Sequence, residues 1–148
     1  MKLKLTFLAA LLGAALLIGT STSNASAAYG VCGKGDFCLW FGHDQLGGIY
    51  HFGGSDPNLH NDRFERIQTT AIVGNNTASA RNKGVNDPGG RIDVLVYDRP
   101  GSGSQGGAVA CIRRGAAGDL PTFWANRISA YKWVTRATCN AHFQIPLL

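Results

Sequence analysis

Charged residues make up only 16% of the chain, methionine occurs once, and no stretch beyond the N-terminus is apolar for more than a few residues. The low charge share excludes a disordered polyelectrolyte tail. The lack of long apolar runs excludes a spanning helix after the leader, because such a helix needs about 20 residues. Catalytic signatures are missing too. There is no Gly-x-Ser-x-Gly elbow, no His-Glu-x-x-His helix and no phosphate-binding glycine loop. Asp93 and Asp98 fall on one strand and its end and do not form a hydrolytic carboxylate pair. His43, His51, His60 and His142 follow no ligand spacing, so they read as surface or half-buried side chains, and His43 beside Asp44 carries no geometry for acid–base work. The chain reads as a non-enzyme. A basic stripe with a recognition element is also absent, which excludes nucleic acid as a partner.

What is present begins with a leader. Lys2 and Lys4 precede an apolar run over residues 5–18, then a polar Ser21-Thr22-Ser23-Asn24 and small Ala25-Ser26-Ala27. That is the layout of a secretory signal peptide over residues 1–27, too short in its apolar part to anchor in a membrane. The mature chain, residues 28–148, keeps 148 − 27 = 121 residues and reads as a single domain, secreted and extracellular, with no membrane span. Its basic count falls to 14 − 2 = 12 against 9 acids, so the formal charge of +5 becomes +3.

Export turns the four cysteines into disulfide candidates. Three pairings are open. Cys32 and Cys38 flank Gly33-Lys34-Gly35 at a spacing that closes locally, which leaves Cys111 for Cys139. Such bonds are worth about 2.4 and 3.6 kcal/mol in loop entropy. Four thiolates on zinc would want paired short spacings, which the second pair lacks.

The 20 glycines punctuate short apolar runs, as in an all-β chain. Strands are expected over residues 37–41, 49–52, 92–97, 108–112 and 128–134, with shorter extended pieces at 69–73 and 79–83. Helical turns are expected only near 63–67 and 120–124. Trp40, Phe41, Phe52, Trp124, Tyr131 and Trp133 read as core aromatics of facing sheets. Asn86-Asp87-Pro88-Gly89-Gly90 breaks the chain into halves that echo each other: Trp40 against Tyr97, Gly47-Gly48 against Gly106-Gly107, and Asn75-Asn76-Thr77-Ala78-Ser79-Ala80 against Ala125-Asn126-Arg127-Ile128-Ser129-Ala130.

The opening Cys32-Gly33-Lys34-Gly35-Asp36-Phe37-Cys38-Leu39-Trp40, the aromatic and Gly-Gly hairpins and the paired Asn/Ser clusters resemble secreted actinomycete βγ-crystallin-like proteins of the Streptomyces metalloproteinase inhibitor family. The resemblance runs from about Val31 to Cys139. It implies an all-β, βγ-crystallin-like sandwich of two Greek-key motifs, near residues 31–86 and 91–139, stabilised by disulfides. It further implies a secreted, monomeric peptidase inhibitor whose partner is an extracellular protease. In that family the inhibitory loop lies in the second half, and Cys111, Ile112, Arg113 and Arg114 resemble its start. The second cysteine of the family's short Cys-x4-Cys loop is absent here. The plain reading of Arg113 and Arg114 is a solvated pair.

The resemblance also implies calcium. Calcium takes six to eight oxygens, and the crystallin motif N/D-N/D-x-x-S/T-S offers several from one turn. Asn75, Asn76 and Ser79 match its first, second and fifth positions; Asn126 and Ser129 match the second and fifth in the other half. All are neutral, so the site they imply is weak, roughly millimolar. The competing reading is turn chemistry, in which Asn and Ser bond their own backbone. The alternative function is therefore a calcium-binding, crystallin-like structural or antifungal killer-toxin-like module.

Overall fold

The computed structural model describes residues 30–66, 70–101 and 107–148. The leader over residues 1–27, Ile67 at the end of the helical turn expected at 63–67, Thr69 at the start of the extended piece expected at 69–73, and Gly106 lie outside that set.

Among the described residues, eight strands form two four-stranded sheets. The first has the order β2 (Ile49–Phe52), β1 (Phe37–Trp40), β3 (Ser79–Asn82), β6 (Ala117–Asp119). The second has the order β7 (Ala130–Thr135), β4 (Arg91–Tyr97), β5 (Val109–Ile112), β8 (Phe143–Gln144). All pairings are antiparallel except β5 with β8. A single α-helix, α1 (Arg136–Asn140), and 3-10 turns at His43–Gln45 and Leu59–Asn61 complete the regular elements among the described residues.

The two halves interlock. In each, the first strand pairs with the second and the fourth, and the third crosses to the other sheet. β6, from the second half, pairs with β3 of the first. In return Asp56, from the first half, bridges Tyr131 on β7. Within each sheet strands four, one and two of a unit are neighbours. Neither half closes a sheet alone.

β1 and residues 94–97 of β4 are buried on both faces, and that explains their unbroken apolar runs. Phe37 and Leu39 on β1, and Val94 and Val96 on β4, enter the core between the sheets. The Phe37 and Tyr131 rings meet there at 4.9 Å. On the outer face of the first sheet, Cys38 and Trp40 pack with Cys32 and Ile49. On the outer face of the second, Leu95, Tyr97, Cys111, Val134 and Cys139 form a matching cluster. Both disulfides lie in these outer clusters, Cys32–Cys38 and Cys111–Cys139. α1 exists to carry Cys139 across the second sheet; the Thr135 hydroxyl caps it by accepting from Thr138 N at 3.2 Å.

Two expectations need correction, and one strand falls where none was expected. The helical turn near 63–67 falls instead at Leu59–Asn61, where Asn58 Oδ1 accepts from His60 N; Arg63 and Glu65 make extended bridges. Phe41 and Phe52 are 44% and 50% exposed rather than buried, since each lies where its strand leaves the sandwich. The stretch after Gly115 holds strand β6, although Ala117, Gly118 and Asp119 have little strand propensity.

Candidate functional site

The chain crosses from β5 in one sheet to β6 in the other through a four-residue turn, 113–116. Ala116 N donates to Arg113 O at 3.1 Å, closing it. Gly115 sits at φ +87, the left-handed value a type II turn demands at its third position.

Buried groups hold this turn from beneath. Asp93, fully buried on β4, accepts from Arg114 N at 2.7 Å through Oδ1. Its Oδ2 lies 2.7 Å from Arg136 Nε as an ion pair. Asn82, also fully buried, donates its amide to Ile112 O (3.0 Å) and Ile92 O (3.2 Å) and accepts from Gly84 N (2.8 Å). Its own carbonyl accepts from Gly115 N at 2.9 Å. A buried carboxylate is costly unless paired and hydrogen-bonded, and here its bonds fix a surface turn. Asn82 was not singled out from the sequence, and Asp93 was weighed there only as half of a carboxylate pair with Asp98. Each is an ordinary polar residue until the fold buries it.

The four residues read from sequence as an inhibitory loop separate into two pairs. Cys111 and Ile112 are fully buried in β5 and have no face to offer, which corrects the expectation of a loop that starts at Cys111. The reason is the back of the second sheet: Cys111 is spent on the disulfide and Ile112 on the core. Arg113 and Arg114 are exposed at the turn. They are held as well as solvated: Arg113 donates to Gln144 Oε1 (2.8 Å) and Asn140 Oδ1 (2.9 Å), and Arg114 reaches Asn86 Oδ1 (3.4 Å).

The Asn/Ser clusters come together, but one residue out of the register read from sequence. Asn75 and Asn126 share a left-handed backbone (φ 60 and 57). Asn75 N donates to Ile128 O, and Asn126 N donates to Thr77 O. Ala78 N donates to Trp40 O, as Ser129 N does to Tyr97 O. The matching pairs are thus 126 − 75 = 51 and 129 − 78 = 51 apart, not 50. Ser79 corresponds to Ala130, and the place of Ser129 in the first half is taken by Ala78. Asn75, Asn76 and Ser79 therefore do not share a site. Ser79 Oγ donates to Gly42 O and accepts from Gln45 N in the first hairpin. Asn76 Nδ2 donates to Gly74 O, a local turn contact.

The cluster that does form spans the halves. Ser129 Oγ lies 2.9 Å from Asn75 Oδ1, 3.1 Å from Asp98 O and 3.0 Å from His60 Nε2. A hydroxyl has one proton, so it serves one of the two acceptor oxygens. The Asp98 carboxylate is taken by Arg127, 2.9 Å from Oδ2. Arg127 stands where Asn76 stands in the first half.

The histidines scatter. His43 pairs with Asp119 at 2.8 Å rather than with its neighbour Asp44, and His51 pairs with Asp36 at 3.1 Å. No group of three His, Cys, Asp or Glu is gathered for a metal among the described residues. No described helix is long and apolar enough to cross a membrane.

A family model for peptidase inhibitor family I36 matches residues 25–112, more than half of the chain. The chain belongs to peptidase inhibitor family I36. Its role is that of a peptidase inhibitor, its partner a protease, and it is not an enzyme. A comparison with curated proteins finds no match. The I36 match ends at Ile112, the last residue of β5, so the braced turn begins one residue beyond it.

Proposed function

We propose that the protein is secreted and inhibits an extracellular peptidase by seating the turn at 113–116 in or across the enzyme's cleft. The carrying observation is the buried Asp93 carboxylate that accepts the Arg114 N–H. With Arg113 O and Gly115 N also bonded, the turn has little freedom left to lose on binding. Peptidases cut extended segments, and a closed turn with a left-handed third residue is not one. Arg113 and Arg114 thus present side chains while withholding a cleavable strand. The leader over residues 1–27 and the two disulfides support export to an oxidising compartment.

The test is inhibition of thermolysin-type, subtilisin-type and trypsin-type peptidases by purified mature protein and by the Arg113→Ala/Arg114→Ala variant. Inhibition by the wild type and a loss of about 30-fold or more in the variant is expected, as for two central contact residues. Equal inhibition by both removes the turn from the mechanism. No inhibition of any of the three classes removes the reading.

A second reading is favoured by the three oxygens crowded on one another at Asn75 Oδ1, Ser129 Oγ and Asp98 O. They are hard donors of the kind calcium takes. All three are neutral, and Arg127 opposes a cation nearby. The expected behaviour is a melting temperature that rises in millimolar calcium, a rise lost in Ser129→Ala and enlarged in Arg127→Ala. A melting curve indifferent to calcium in all three proteins overturns it.

A further inference from the structure

The turn has a charged flank. Lys34 comes from the loop closed by Cys32–Cys38, Arg81 and Lys83 from the end of β3, and Arg114 from the turn itself; all four line one surface pocket together with Gly115. No acidic residue lines it. Gly35 N donates to Lys83 O at 2.9 Å, which pins the disulfide loop against β3 and keeps Lys34 on this side.

The cations are not compensated. Lys83 Nζ donates to Cys32 O and Arg114 to Asn86 Oδ1, both neutral acceptors. Lys34 and Arg81 make no side-chain hydrogen bond or ion pair to another described residue. Three acids on neighbouring segments have other side-chain partners: Asp36 pairs with His51, Asp87 with Arg91 and Asp93 with Arg136, and Asp93 reaches the pocket only through the Arg114 backbone N–H. Four positive charges in one pocket exceed the +3 carried by the whole mature chain. Like charges held together repel, and a fold tolerates them when something of opposite sign meets them.

We infer that this pocket is the electrostatic half of the inhibitory interface, and that it meets an acidic rim of Asp and Glu side chains on the peptidase. This rests on the reading of 113–116 as the contact turn, which Arg114 joins to the pocket. The donors are spread over three chain segments, two of them already bonded to backbone or amide oxygens. They do not close into a cage around one small anion; they match several carboxylates along a protein surface. A charged border beside a rigid contact turn steers the encounter and sets which enzymes associate fast.

The experiment measures association and dissociation rates of the wild type and of Lys34→Glu/Arg81→Glu with the inhibited peptidase, from low to high salt. Both residues are exposed and outside the braced turn. The expected result is an association rate lowered roughly tenfold or more at low salt, with the two proteins converging at high salt and dissociation little changed. Equal rates at low salt overturn the inference and leave the turn reading standing. So does a variant that inhibits as well as the wild type yet loses retention on polyphosphate, which would assign the pocket to a polyanion. A wild type that inhibits no peptidase removes both readings. Unchanged thermal melting shows that the variant is folded.

Discussion

Residues 53–55 and residues 113–116 occupy matching places in the two halves. Each follows the second strand of its own sheet, β2 or β5, and each delivers the chain to the other sheet, at Asp56 beside β7 or at β6 beside β3. Their chemistry differs. The first turn is Gly53, Gly54 and Ser55, and it is tied to β7: Trp133 Nε1 donates to Gly54 O at 2.9 Å and Trp133 N to Ser55 Oγ at 3.0 Å. The second carries Arg113 and Arg114 outward on a buried carboxylate. Acids gather beyond the first turn, where Asp56 faces Asp62 and Tyr50. Cations gather beside the second. Both crossings close the sandwich, and the second also presents two exposed arginines.

The comparison breaks most visibly at the disulfides. Cys111→Ala/Cys139→Ala should lower unfolding free energy by about 3.6 kcal/mol and Cys32→Ala/Cys38→Ala by about 2.4 kcal/mol, on loop entropy alone. Denaturant titration checks both. Cys111 lies in the strand that feeds the arginine turn, so loss of the first pair should also speed dissociation from the peptidase, whereas loss of the second, whose loop carries Lys34, should slow association.

The supports of the two turns differ next. Asp93→Asn breaks a buried ion pair, for which about 3–5 kcal/mol is usual. Arg136 is 41% exposed, so about 2–3 kcal/mol is expected after screening. Ser55→Ala removes one acceptor from Trp133 N and should cost about 1 kcal/mol. If both variants lose the same stability, Asp93 is not the brace described above.

Legibility from sequence was uneven for physical reasons. β1, β2 and β4 are dense apolar runs bounded by glycine and proline signals, and each was expected within a residue or so of its ends. β6 and α1 were not. β6 is a strand because β3 offers an open edge on one side and Leu148 bonds Asp119 on the other, at 3.1 and 3.0 Å. α1 has five residues, below what helix periodicity can show, and is held by a threonine cap and a disulfide. The site divides likewise. Arg113 and Arg114 are visible as an adjacent basic pair. Asn82 and Asp93 gain meaning only when strands distant in sequence bury them. The Asn/Ser clusters were aligned by residue identity, which placed Ser79 against Ser129; backbone pairing places Ala78 there.

The smallest effect is on the pH dependence of stability. Burial, with the Asp56 carboxylate next, raises the pKa of Asp62 above its ordinary value. A raised acid favours folding fully only below its unfolded pKa of about 3.9, and that contribution fades as pH rises through the folded value. Asp62→Asn should therefore melt higher than the wild type at pH 7 and alike at pH 3. Asp87 runs the other way: backbone and side-chain bonds with Arg91 lower its pKa, so its contribution is present at neutral pH and fades on acidification. Thermal melting across that range checks both signs.

Amide hydrogen exchange, with the protein free and bound to the peptidase it inhibits, tests the central claim most directly. Protection confined to 113–116 and the adjoining 81–83, with 53–55 unchanged, is the predicted footprint. Protection at 53–55, or at the 41–48 hairpin, with 113–116 unchanged would contradict it.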